Sequence, residues 1–323
     1  MKHFKISDMG NRTVFDIELR NRITIITGES AQGKTMLVKF IDLINRSTKI
    51  ITNENFNVKH INDDMILNGY NLNSNDIYIM DEYDGINNLK ISNVINNRKY
   101  NFILITRNTI MPHISYDISD ICIFSNSGKY HKLIKKYGNI NKEVDKTKLD
   151  KIITEDSGSG NEYYKIFNNF KLISAGNNSK ILKFSDDNTI FVVYSLGFGP
   201  YIKLYIQNSI YKNTFLIYPK SFEYLILISG VLPDNIGSSV VNKSEMSNMG
   251  STLEQSYYKE LKSALKEYNI KFSKTYLDEW FRDPEIYSRI NRKILELFNI
   301  NLLELNKNLI KNNKLLNWEW DWA

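Results

Sequence analysis

The chain has 323 residues, which suggests about two domains. A net charge of +6 allows contact with nucleic acid without requiring it. One cysteine, Cys122, excludes an internal disulfide, and with the four histidines it shows no zinc-ligand spacing. No apolar run approaches the roughly 18 residues of a membrane helix, and residues 1–5 contain no apolar signal region. We therefore expect a cytoplasmic protein without a membrane partner.

The first predicted elements are a pair of strands at 3–7 and 13–19, which flank a glycine turn at 10–12. A third apolar run at 22–27 predicts another strand. A helix-compatible run follows from residue 36 and is expected to end near residue 46. The segment between this strand and this helix is therefore predicted to be the loop of a strand–loop–helix unit.

This connecting segment carries the pattern Gly-x-x-x-x-Gly-Lys-Thr, known as the P-loop. Its residues, followed by the first residue of the helical run, are Gly28, Glu29, Ser30, Ala31, Gln32, Gly33, Lys34, Thr35 and Met36. The glycines let backbone N–H groups turn inward around phosphates. Lys34 is expected to reach the β- and γ-phosphates of ATP, and the Thr35 hydroxyl to bind Mg²⁺. A chance match on a glycine turn is the alternative interpretation.

A second motif follows at the end of an apolar strand at 77–80, where Asp81 and Glu82 stand side by side. In P-loop proteins a neighbouring strand delivers an aspartate to the Mg²⁺ shell, and Asp81 suits that role. Glu82 would orient or deprotonate the attacking water. The alternative is a buried strand with acidic residues at its exposed end.

The rest of the first domain contains one irregular region and three further elements. Residues 50–75 are polar and poorly periodic, and they predict irregular structure or a short insertion. A short helix is expected near 88–97 and a buried strand at 101–106. Apolar runs around a glycine turn predict a hairpin over 118–135.

The strands before the P-loop, and the polar position after the strand that follows Asp81 and Glu82, resemble the opening of an ABC-type ATPase over residues 1–136. The resemblance implies that Arg107 or Asn108 senses the γ-phosphate. The sequence has no LSGGQ-like signature, no Q-loop glutamine and no histidine at the switch position. In ABC-type ATPases, two ATPase domains usually sandwich ATP, and each supplies its signature motif to the site of the other. We therefore expect ATP binding with slow hydrolysis, in a homo-oligomer or with a partner protein that completes the site.

A polar, charged stretch at 137–150 predicts a linker. Strands alternate with helices again over 151–230, which predicts a small parallel α/β domain. Residues 231–323 predict a loop and an all-helical tail. The tail helices are expected at 253–268, 277–281, 284–298 and 301–310. The expected fold class is α/β, with a P-loop ATPase-like sheet and a second small parallel sheet.

The second domain begins with a strand that ends at Glu155, and Gly176 later joins a strand to a helix. This order is similar to a Toprim domain, the metal-dependent module of topoisomerases and primases. The resemblance implies that Glu155 binds Mg²⁺. The Asp-x-Asp pair of that family is missing after the strand at 189–194. We expect a degenerate Toprim-like domain used for recognition, or a plain parallel sheet in which Glu155 is a capping or solvated acid.

The order of the two domains resembles the overcoming-lysogenisation-defect family of nucleases and other phage-defence or mobile-element ATPases. The resemblance implies an ATP-binding switch or sensor in bacterial phage defence, with ATP and Mg²⁺ as cofactors. Nucleotide binding would drive assembly, or engagement of a partner or nucleic acid. One alternative is an ATP-regulated, Mg²⁺-dependent nuclease that uses Glu155, and the other is a phosphotransferase acting on a small acceptor.

Overall fold

A computed structural model describes most of the first 221 residues and parts of the remaining chain. The described residues are 2–29, 32–83, 88–97, 99–107, 111, 113–138, 140–141, 143–156, 170–184, 186–221, 224–225, 228, 266 and 284–297. The protein is a mixed α/β protein with a nine-stranded sheet and a separate four-stranded parallel sheet. None of the helices in these ranges combines the length and the apolar character that crossing a bilayer requires.

Thirteen strands are described. They are β1 (Lys2–Asp8), β2 (Val14–Leu19), β3 (Ile23–Ile26), β4 (Thr48–Thr52), β5 (Val58–His60), β6 (Ile77–Met80), β7 (Asn101–Ile105), β8 (Ile121–Ser127), β9 (Tyr130–Lys135), β10 (Lys151–Thr154), β11 (Lys171–Ser174), β12 (Thr189–Val192) and β13 (Thr214–Ile217). The α-helices whose bounds lie within the described residues are α1 (Lys34–Asp42), α2 (Asp63–Leu67), α3 (Leu89–Ile95), α4 (Asn178–Ile181), α5 (Ser195–Phe198), α6 (Ile202–Ser209) and α7 (Pro284–Leu297).

The described chain forms two compact units. Of the described residues, the first unit contains those of 2–138 and Ser195–Lys203. The second unit contains those of 140–194 and those from Leu204 onward. This grouping removes residues 195–203 from the span 151–230 that the sequence predicts as one domain.

The nine-stranded sheet of the first unit has the order β4-β1-β2-β9-β8-β3-β7-β6-β5. Strands β8, β3, β7, β6 and β5 run parallel to one another, whereas β4, β1 and β2 pair antiparallel. After β3 the chain crosses to β4, at the far edge of the sheet beyond β8, then forms β5, β6 and β7 on the other side of β3, and later returns to β8. Strand β3 therefore lies between β8 and β7, within the parallel part of the sheet.

The core of the first unit forms where α1 packs against the sheet. Every residue of β3, β6 and β7 is buried, as expected for central parallel strands. Helix α1 buries Leu37, Val38 and Ile41 in the same cluster. Phe15 of β2 lies inside this cluster, with its ring centroid 5.6 Å from that of Phe40 in an edge-to-face contact. This packing fixes the start of α1 against the carboxyl end of β3.

The region 50–75 differs from the prediction of irregular structure. It contains the end of β4, the edge strand β5 and the helix α2. Strand β5 has three residues, which is too short for alternation to be visible in the sequence. Asn62 caps α2, because its side-chain oxygen accepts a hydrogen bond from the Met65 N–H at 2.9 Å.

The second unit contains the four-stranded parallel sheet in the order β11-β10-β12-β13. The prediction of a small parallel sheet is confirmed. Strands β12 and β13 are entirely buried, and Tyr205 of α6 packs its ring edge-to-face on Phe191, with centroids 5.4 Å apart. Helix α7 lies within the predicted helix at 284–298. The other predicted tail helices lie outside the described residues, apart from position 266.

The segment Ser195–Lys203 packs within the first unit on residues that precede β8. The Ser195 hydroxyl donates to Asp117 Oδ2 at 2.7 Å in buried surroundings. Gly199 lies so close to Tyr116 that an added Cβ would overlap the Tyr116 carbonyl oxygen. Tyr116 and Phe198 are both fully buried, so this contact has the close packing of a protein core.

A buried acidic pair lies beside this contact. Asp120 accepts hydrogen bonds from the Asn21 side-chain amide and from the Asp117 N–H, the latter at 2.8 Å. Burial is the main reason that the pKa of Asp120 rises from 3.8 to about 7, and the neighbouring charge of Asp117 adds to the rise. Asp120 therefore keeps its proton at pH values where an exposed aspartate has lost it.

We expect the replacement Asp120→Asn to flatten the pH dependence of stability. An unfolded chain loses this proton at about pH 4, whereas the folded protein keeps it to about pH 7. The folded state holds more protons between these values, so the free energy of unfolding falls as pH rises. Denaturant unfolding from about pH 5 to about pH 8 should show a fall of roughly 2–3 kcal/mol that the variant lacks. Parallel curves for the two proteins would contradict the buried protonated state.

Candidate functional site

Three neighbouring parallel strands bring the predicted site residues to one edge of the nine-stranded sheet. Strand β3 leads into 28–35, β7 leads into Arg107, and β6 leads into Asp81 and Glu82. The carboxyl ends of adjacent parallel strands meet at the same edge, where ligands bind in open α/β sheets. Strand β7 lies between the other two. The structure thus brings together segments that the sequence only suggests are related.

Backbone hydrogen bonds hold these strand ends in register. The Thr106 N–H donates to the Ile26 carbonyl oxygen at 3.0 Å, which ties the end of β7 to the end of β3. The Tyr83 N–H donates to the Ile105 carbonyl oxygen at 3.0 Å, which ties the residues after β6 to β7. The edge is therefore fixed on both sides of β7.

The loop after β3 depends on its two glycines. Gly28 has a φ of +131° and Gly33 a φ of +94°, in the region that residues with a Cβ rarely adopt. A Cβ on Gly28 would also lie 2.9 Å from the Gln32 side-chain carbonyl carbon. Gly33 immediately precedes α1, whose first N–H groups have no acceptor within the helix. The loop therefore ends at backbone donors that an anion can use.

The ammonium of Lys34 folds back over this loop. It donates to the carbonyl oxygens of Gly28 and Glu29, the second at 2.7 Å. Burial lowers the pKa of Lys34, the positive charge of Arg107 lowers it further, and the negative charge of Asp81 opposes both. The ammonium of Lys34 therefore lies within electrostatic range of both Arg107 and Asp81.

A sharp bend follows β6. Glu82 has a φ of +51°, which is uncommon for a residue with a long side chain. Its N–H donates to Asp81 Oδ1 at 2.9 Å, so the bend is closed by the neighbouring carboxylate. Asp81 is half-buried and Glu82 is exposed, as are Thr35 and Arg107. Unusual backbone of this kind is concentrated at functional sites.

Two side chains that the sequence did not suggest lie against the last glycine of the loop. The His131 ring of β9 stacks on Phe15 of β2, with centroids 4.7 Å apart and an interplanar angle of 23°. A Cβ on Gly33 would lie 3.3 Å from His131 Nδ1 and 3.4 Å from the Phe15 ring. Strands β2 and β9 are far apart in the sequence, and no local pattern predicts that they pair.

Gln32 adds an unsatisfied polar atom inside the loop. Its side-chain carbonyl oxygen is buried and has no hydrogen-bond partner among the described residues. Buried polar groups are usually hydrogen-bonded, so such an atom calls for a functional or solvent explanation. Together with the inward ammonium of Lys34, it fits a loop that rearranges around a phosphate-bearing ligand. Ser30 and Ala31 lie outside the described residues.

The predicted Glu155 site occupies the corresponding edge of the second sheet. Glu155 follows β10, is buried, and donates its N–H to the Val192 carbonyl oxygen at 3.0 Å. The next residue, Asp156, accepts a hydrogen bond from the Tyr194 hydroxyl at 2.9 Å. Within the described ranges, no three His, Cys, Asp or Glu side chains are grouped to hold a metal ion. The role of Glu155 as a metal ligand stays a prediction.

Comparison with known proteins identifies no family. No protein-family model matches the chain, and no curated protein matches it. Among solved structures, the chain is similar to one in a model of ribosome-bound archaeal Pelota and ABCE1, with a TM-score of 0.26 and 16% identity. The match covers 42% of this chain and 34% of that chain, so this chain aligns with about a third of its length. A TM-score of this size supports no conclusion about fold or function.

Proposed function

We propose that the first unit binds ATP with Mg²⁺ at the edge formed by β3, β7 and β6, and that the protein is an ATP-dependent switch. One observation carries the proposal. The segment 28–35, the pair Asp81 and Glu82, and Arg107 follow the carboxyl ends of three adjacent parallel strands, the edge at which ligands bind in open α/β sheets. The glycine torsion angles and the ammonium of Lys34 support the same interpretation.

Each residue of this edge has a chemical role that its position allows. The N–H groups at the start of α1 and the ammonium of Lys34 would hold phosphate oxygens. The Thr35 hydroxyl and the Asp81 carboxylate would hold Mg²⁺, which neutralises phosphate charge when bound. Arg107 adds a positive charge at the end of β7. Glu82 stands one residue beyond Asp81, where its carboxylate would orient water and accept its proton.

The exposure of this edge favours a switch over an efficient hydrolase. Thr35, Glu82 and Arg107 are all exposed to solvent in the single chain. Phosphoryl transfer is fastest where water is excluded and charges are held in fixed positions. We infer that a second copy or a partner protein covers the site, and that the chain alone hydrolyses ATP slowly. A role in phage defence rests on analogy of domain order alone.

The second unit is proposed to contact nucleic acid or an effector. Two-metal cleavage of a phosphodiester needs several converging carboxylates. The described edge around Glu155 contains no such group of three. A phosphotransferase function has no comparable support among the described residues.

The replacement Glu82→Gln tests this function. We expect the variant to bind ATP as well as wild type and to hydrolyse it at least about 100-fold more slowly, because general-base catalysis contributes at least that factor. Trapped ATP should convert the variant into a larger particle by light scattering. The matched control is Glu54→Gln, at an exposed position of the same unit, which should behave as wild type. Absence of ATP binding in wild type with Mg²⁺ would overturn the proposed function.

A further inference from the structure

His131 lies beside the segment that would hold phosphate. Strand β9 pairs with β2 so that His131 stands opposite Phe15, and the side chain lies on the same face of the sheet as Phe15. The two stacked rings lie against the backbone of Gly33. A Cβ added at Gly33 would lie 3.3 Å from His131 Nδ1. Gly33 immediately precedes the N-terminus of α1. The imidazole is therefore a near neighbour of the backbone donors of the loop.

A hydrogen bond fixes which nitrogen of this ring titrates. His131 Nδ1 lies 2.7 Å from the Asn126 side-chain oxygen, which can only accept a hydrogen bond. Nδ1 therefore carries a proton in both charge states, and Nε2 is the nitrogen that gains or loses one. The stack on Phe15 holds the ring in the same place in both states. Protonation thus adds a positive charge without requiring the ring to move.

The sheet presents uncharged groups to this ring. Strand β8 contributes Asn126 and β2 contributes Phe15. Asp16, next to Phe15, points to the opposite face, where its carboxylate pairs with two basic side chains of β1. Burial lowers the pKa of His131, which keeps the ring largely neutral at pH 7.

The loop contributes the remaining neighbours. Gly33 contacts the ring, and Lys34 follows in the chain with its ammonium bound to the carbonyl oxygens of Gly28 and Glu29. A phosphate bound at the start of α1 would bring negative charge close to His131. An opposite charge nearby favours the charged form of a histidine.

We propose that His131 is a positioning residue of the phosphate site and that its protonation strengthens the binding of phosphate-bearing ligands there. The inference rests on the proposed function. The neutral ring supports the glycine turn, and the protonated ring adds attraction for the bound anion. By linkage, binding of the anion must then draw a proton onto His131. The affinity of wild type for Mg-ATP should therefore rise as pH falls. This rise should be larger than the rise seen in a variant without the imidazole.

Isothermal titration calorimetry with Mg-ATP at about pH 6 and about pH 8 tests this inference. Measurements in two buffers of different ionisation enthalpy give the protons taken up on binding. We expect wild type to gain about fivefold in affinity at the lower pH relative to His131→Gln, and to take up protons that the variant does not. The γ-phosphate of ATP also titrates, but its effect is the same for both proteins and cancels in the comparison.

Two further variants keep the test decisive. His60→Gln removes a histidine that pairs with Asp42 on α1, and it should retain the wild-type pH response. Asn126→Asp leaves His131 in place and puts a carboxylate beside its Nδ1–H, so the pH response should move upward by about one unit. Equal pH responses of wild type, His131→Gln and Asn126→Asp, with ATP bound by all three, would overturn the inference and leave the proposed function standing. Failure of wild type to bind ATP at either pH would overturn the proposed function itself.

Discussion

Replacement of Lys34 by alanine is expected to weaken ATP binding by about 100-fold. The ammonium of Lys34 already points into the loop, where it donates to the carbonyl oxygens of Gly28 and Glu29. A phosphate would replace these neutral acceptors with charged ones, and hydrogen bonds between charged groups are among the strongest in proteins. Titration of wild type and variant with a fluorescent ATP analogue, with Mg²⁺ present, measures the loss.

Lys39 provides the matched control for this experiment. It lies on the same helix α1, near its other end, and is exposed. Lys39→Ala should bind nucleotide as wild type does, and both variants should unfold at nearly the wild-type temperature. An affinity of Lys34→Ala within about threefold of wild type would show that the segment 28–35 does not hold phosphate.

The replacement Gly199→Ala is expected to give the largest loss of stability, about 3 kcal/mol. A Cβ at this position would overlap the Tyr116 carbonyl oxygen and lie 2.9 Å from the carbonyl carbon. These atoms belong to the backbone, so a side-chain rotation cannot relieve the overlap. The segment would have to move away from Tyr116, which would also stretch the hydrogen bond from Ser195 to Asp117. Denaturant unfolding at fixed pH measures the effect.

Gly138→Ala is the matched control for this stability measurement. A Cβ there would meet nothing nearer than 3.8 Å, and the residue belongs to the same unit. Gly138→Ala should therefore change the free energy of unfolding by less than about 0.5 kcal/mol. If the two alanine variants had the same stability, Gly199 would not be packed against Tyr116 as described.

The parts of the molecule that the sequence predicts well depend on neighbours in the chain. The strand before residue 28 and the helix after residue 33 follow from short apolar runs, and both are present as β3 and α1. The strand ends at Asp81 and Arg107 follow from the same kind of signal. Parallel pairing then brings these ends together, because the carboxyl ends of parallel strands share an edge.

The parts that the sequence does not predict depend on contacts between distant segments. His131 and Phe15 stack because β9 pairs with β2. No local sequence pattern in either strand indicates this pairing. Strand β5 escaped prediction because three residues are too few to establish a period. The left-handed backbone of Glu82 likewise has no signal in the sequence, since glycine or asparagine is the usual residue there.

The position of residues 195–203 has a consequence for the synthesis of the chain. The first unit includes these residues, although three strands of the second sheet are made before them. A ribosome adds about 5–20 residues each second, so several seconds separate the emergence of residue 138 from that of residue 203. Throughout that interval the nascent first unit lacks the segment that packs on Tyr116 and donates a hydrogen bond to Asp117. A nascent chain arrested within residues 137–150 would thus expose a hydrophobic surface and offer a binding site to chaperones.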